Sequence, residues 1–110
     1  MKEALVAFVA LEHLAFLVLE MFLWDKPLGL RVFGHSREDA RKSAVLAMNQ
    51  GLYNGFLAAG LIWTLASGNE GDARFFLICI VVAGAFGSWS TKKASLFLVQ
   101  GLPALIALAL

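Results

Sequence analysis

Eight side chains sit in unusually apolar company in this sequence: Glu12, His13, Glu20, Asn49, Gln50, Tyr53, Asn54 and Gln100. A group able to ionise near the centre of a bilayer costs about 2.5–3.5 kcal/mol, so it faces protein or a water-filled cavity. Glu12 and His13 are adjacent, and a carboxyl beside an imidazole supports proton exchange in coupled transport, acid/base catalysis or metal ligation. Metal is the weakest of the three, because the i, i+3 spacing of Glu-x-x-His that aims two ligands at one ion is missing. Neither a metal nor a cofactor is therefore expected.

On a helix, Glu12, His13 and Glu20 share an arc of about 100°, with Glu12 nearest the middle of its run and Lys26 within reach of Glu20. Asn49, Gln50, Tyr53 and Asn54 span about 140° of a second helix. Gln100 lies three residues before Pro103, which cannot donate to the Val99 carbonyl, and Gly101 leaves room beside it. Three helices should thus converge on one polar chamber that holds a small or amphipathic ligand. The plainer alternative is that the amides only tie helices together, at about 0.6 kcal/mol each.

The elements that must position these groups follow from composition. The chain has 110 residues, 60% apolar and 15% charged, with mean hydropathy +0.77. Soluble domains run at roughly 45–50% apolar and about 25% charged. The expected fold class is all-α, a single integral membrane domain over 1–110 with four transmembrane helices at about 4–24, 43–66, 74–89 and 94–110. A net charge of +1 suggests no nucleic-acid partner, and one Cys excludes a disulfide scaffold. Cys79, inside an apolar run, reads as a small buried hydrophobe.

The first span carries Glu12, His13 and Glu20 and ends in Trp24-Asp25-Lys26-Pro27, so it reads as a retained helix rather than a signal peptide. Leu28 to His35 reads as a loop in the headgroup region, and His35 as a solvated or interfacial residue. Ser36 offers an N-cap whose hydroxyl accepts from the Asp39 N–H, followed by a wet extension over Arg37 to Lys42. Residues 67–72 form a turn by composition. Lys26, Arg31, Arg37, Arg41, Lys42, Lys92 and Lys93 lie on one side, against Lys2 and Arg74 on the other. That bias predicts a multi-pass protein of the inner (plasma) membrane, with loops 25–42 and 90–93 cytoplasmic and both termini opposite.

Gly51, Gly55 and Ala59 make one small-residue face, and Ala83 with Gly87 a second. These faces mate within one chain or build a homo-oligomer, and the motif leaves the choice open. Three functions follow: first a small transporter coupled through Glu12, then a non-catalytic assembly subunit, and last a membrane enzyme with Glu12 and His13 as acid and base. The plan is similar to that of small four-helix multidrug exporters, whose sequence motifs are absent.

Several stretches also resemble a family of small bacterial four-helix membrane proteins known as a domain of unknown function, some of whose members carry the label epimerase. The resemblance covers nearly the whole chain. It rests on Glu20 to Trp24, Phe33-Gly34, the run Asn49 to Leu61, Ala83-Gly84 and Gln100 to Ala104. It implies the four-helix fold and the polar positions, and it names no substrate.

Overall fold

A computed structural model describes residues 1–110, all helix and connecting turns. The elements are α1 (Lys2–Met21), α2 (Pro27–Phe33), α3 (Arg37–Ser67), α4 (Glu70–Thr91) and α5 (Ala94–Ala109). A π turn, Phe97–Gly101, interrupts α5. Its cause is local: Pro103 has no N–H, and the ladder is carried across the gap by a bond from the Leu102 N–H to the Phe97 carbonyl.

Each boundary has a residue-level reason. The Ser36 hydroxyl accepts from the Asp39 N–H at 3.1 Å, as its position predicts, and α3 starts there. Asn69 caps α4 by accepting from the Asp72 N–H at 3.1 Å, so α4 begins at Glu70, inside the segment expected to be only a turn. The segment expected to be a loop, Leu28 to His35, instead contains α2. Pro27 stands in its first turn, where a missing N–H costs nothing, and Gly34 closes it at φ 68° with its N–H on the Leu30 carbonyl.

The chain packs as two compact units. The first comprises residues 1–12 and 57–110, and its core joins Val6, Val9, Ala10, Leu61, Leu77, Ile80, Ala104 and Ala107. Here α4 and α5 approach closely: a Cβ on Gly84 would stand 3.0 Å from the Cα and N of Gly101. The second unit is residues 13–56. In it Gly51 and Gly55 receive α1, since a Cβ on Gly51 would lie 2.6 Å from the Met21 side chain, and one on Gly55 2.6 Å from Leu17. Of the two roles open to this face, the Gly51 and Gly55 part packs against α1 of the same chain. Ala59 and Ala83 are exposed, and a Cβ on Gly87 would meet only Leu96, at 3.9 Å, so Gly84 rather than the Ala83/Gly87 pair makes the close contact on α4.

Two helices, α1 and α4, are long and apolar enough to cross a membrane, with mean hydropathies of 2.0 and 1.6. The other two expected spans differ. α3 is long but interrupted by Asn49, Gln50 and Asn54, and α5 is apolar but short. Cys79 is half-buried rather than enclosed.

Candidate functional site

The polar residues of α1 divide among distinct environments. Glu12 is half-buried, yet its Oε1 is shut off from solvent with no hydrogen-bond partner. His13 is fully buried and meets the edge of Phe16 at 5.3 Å between ring centroids. Its volume fills core space as an apolar side chain would, but with two ring nitrogens to satisfy. About two turns further on, the Asn54 side-chain amide donates to Glu20 Oε1. Glu20 had been expected near Lys26, but Lys26 reaches Asp25 instead, at 3.9 Å.

The physical reason for the Glu20–Asn54 pair is the glycine face of α3. Gly51 has no side chain to hold α1 away, so Glu20, whose Cβ would be 3.2 Å from a Cβ on Gly51, comes within reach of Asn54, three residues further along α3. A carboxylate oxygen taken from water is costly unless a donor replaces the lost solvent, and the amide is that donor.

The amides expected beside it go elsewhere. Asn49, Gln50 and Tyr53 are exposed, and the Asn49 amide donates at 2.8 Å to the Val45 carbonyl of its own helix. An arc of about 140° is wide enough to point both inward and outward. The small residues Gly51, Gly55 and Ala58 decide which part turns in, and Asn54 is the member carried with them. Gln100 is half-buried in the π turn of α5. Of the residues expected to line one chamber, Glu20 and Asn54 are brought into contact, whereas Asn49, Gln50 and Tyr53 face outward.

A second cluster lies where sequence reasoning saw only a loop. The Trp24 indole N–H donates to Ser43 Oγ at 3.0 Å, and its ring packs on Phe33 at 4.6 Å and on His35 at 4.4 Å between centroids. His35 Nε2–H points at the Trp24 carbonyl at 3.4 Å. His35 is thus half-buried in an aromatic stack, not solvated. Pro27 and Gly34 bracketing Leu28, Leu30 and Phe33 was the signal that could have revealed the helix behind it.

Comparison with known proteins gives a consistent but functionally silent picture. Residues 7–110 match the family described as protein of unknown function (DUF1304). The chain is 36% identical over 104 residues to the uncharacterized protein YpaA of Lactococcus lactis subsp. lactis (strain IL1403), covering 91% of this chain and 87% of that one. No solved structure matches.

Proposed function

The chain belongs to the DUF1304 family of unknown function, and from that premise we propose an integral membrane protein acting as a small carrier that binds a cationic amphipathic ligand through Glu12. The membrane part of this reading rests on exposed apolar surface. Only 22% of the apolar window of α1 and of α4 is buried, whereas the core helix of a water-soluble protein is mostly covered. Phe8 and Leu11 on α1, and Phe75, Val82, Phe86 and Trp89 on α4, stand open. Lipid is the solvent that removes such a surface from water, at about 25 cal/mol for each Å².

The carrier part rests on one observation, the Oε1 of Glu12, a buried acceptor with no donor. A lone buried oxygen is destabilising by about 1–3 kcal/mol, so the site gains whenever a proton or a donor group arrives. A cationic headgroup supplies both the donor and the charge. The exposed apolar neighbours Phe8 and Leu11 suit the remainder of such a ligand.

Two experiments test the reading. Alkaline carbonate extraction of membranes from cells expressing the full chain should leave the protein in the pellet, and its release would remove the membrane assignment. In proteoliposomes with an imposed proton gradient, uptake of ethidium, a lipophilic cation that carries amino N–H donors, should depend on the gradient. Glu12→Gln should abolish that uptake while the melting temperature in detergent is kept. No uptake by the wild type, or uptake indifferent to Glu12→Gln, refutes the carrier.

A further inference from the structure

Three arginines near the junction of α2 and α3 have no acidic partner. Arg31 on α2 and Arg37 and Arg41 on the first turns of α3 are exposed and belong to no ion pair. Of the nearby acids, Glu38 pairs with Lys42 at 3.3 Å and Asp25 with Lys26 at 3.9 Å, while the Asp39 carboxylate is in no ion pair and lies about 160° around α3 from both Arg37 and Arg41. At 100° per residue, Arg37 and Arg41 form one stripe of α3, and Glu38 with Lys42 the next. The arginine stripe therefore keeps its charge.

The helix beside it has two unlike faces. Gly29 is buried and Leu30 and Phe33 are half-buried, while Leu28 at 47% exposure and Val32 at 53% stand open, with Arg31 exposed about 60° to the side of Leu28 on the helical wheel. Its position is set by packing. A Cβ on Gly29 would collide with the Leu23 carbonyl oxygen and stand 2.8 Å from that of Trp24, so α2 lies against the turn that follows α1. The Trp24–Ser43 bond ties the same turn to α3, and the stack of Trp24 on Phe33 ties it to α2. An apolar pair with an arginine at its edge, on a helix held in place, is the pattern of an element lying in the headgroup plane, with the aliphatic part of the arginine along the apolar boundary and its guanidinium in the polar layer.

We infer that residues 28–41 form a binding site for the headgroup of an anionic phospholipid, with Leu28 and Val32 at the acyl boundary and Arg31, Arg37 and Arg41 on the phosphate layer. The inference rests on the membrane reading above. Charge complementarity selects the occupant: a zwitterionic lipid has no net charge to offer, and guanidinium forks match phosphate oxygens bidentately. Each basic group near an anionic membrane surface strengthens binding by about fivefold, so three together give on the order of a hundredfold.

The test uses the full chain in detergent after lipid removal, titrated with phosphatidylglycerol or phosphatidylcholine and followed by melting temperature. Phosphatidylglycerol should raise the melting temperature at far lower concentration than phosphatidylcholine, and added salt should narrow the difference. Arg31→Gln/Arg37→Gln/Arg41→Gln should shift the phosphatidylglycerol midpoint on the order of a hundredfold, with the lipid-free melting temperature kept. Lys92→Gln/Lys93→Gln, a charge loss elsewhere, should leave the midpoint in place. If the triple variant melts early without lipid, the single variants are titrated, each expected to shift the midpoint about fivefold. Equal stabilisation of the wild type by both lipids, the same effect from inorganic phosphate alone, or an equal shift in the lysine variant overturns the site. Retention in the carbonate pellet together with any of these results removes the lipid site and leaves the membrane assignment standing. Release by carbonate removes both.

Discussion

Replacing Gly29 by Ala separates packing from propensity by the sign of its effect. In an open helix position the change from Gly to Ala is stabilising by about 0.5–1 kcal/mol, because the unfolded chain loses more freedom with glycine. At Gly29 the added methyl would meet backbone on both sides: the Leu23 carbonyl oxygen, the Leu23 carbonyl carbon at 2.8 Å and the Trp24 carbonyl oxygen at 2.8 Å. Backbone yields less readily than a flexible side chain, so the overpacking cost falls in the upper part of the usual range of about 1–3 kcal/mol. Setting the propensity gain against that cost leaves a net destabilisation of about 2 kcal/mol. Gly87→Ala is the matched control, since its Cβ would find only Leu96 at 3.9 Å, an ordinary contact. Thermal unfolding of both variants in the same detergent should therefore move in opposite directions, with Gly29→Ala down by several degrees and Gly87→Ala slightly up. An increase in stability for Gly29→Ala would refute the close seat of α2 on the turn that follows α1, and with it the fixed presentation of Arg31.

Asn54→Leu should destabilise by about 1–3 kcal/mol by leaving Glu20 without its donor, and a double-mutant cycle with Glu20→Gln in denaturant unfolding should show a non-zero coupling. Asn69→Ala should cost about 1 kcal/mol by removing the cap on the Asp72 N–H, with Asn69→Asp retaining most of it.

The helices were readable because their signals are local. Ser36 followed by Asp39 is a cap whatever the rest of the chain does, and the hydroxyl accepts from the predicted N–H. The arc of Glu12, His13 and Glu20 follows from helical geometry alone. α2 was missed because seven residues containing a glycine and preceded by Lys26-Pro27 resemble a loop until the partners of Gly29 and Trp24 are known. Pro103 announced a break in the ladder of α5, but not that a π turn would bridge it.

Composition and periodicity by themselves determined an all-helical chain, the Ser36 cap of α3, and a carboxyl beside an imidazole in an apolar helix. Tertiary structure decided which way the polar residues of α3 turn. Asn49, Gln50, Tyr53 and Asn54 are equivalent by type, yet only Asn54 meets a carboxylate. Helical phase fixes the angles between side chains and leaves the helix free to rotate as a whole. That rotation is set by where α1 finds room, at Gly51 and Gly55, and the room exists only once the two helices are together.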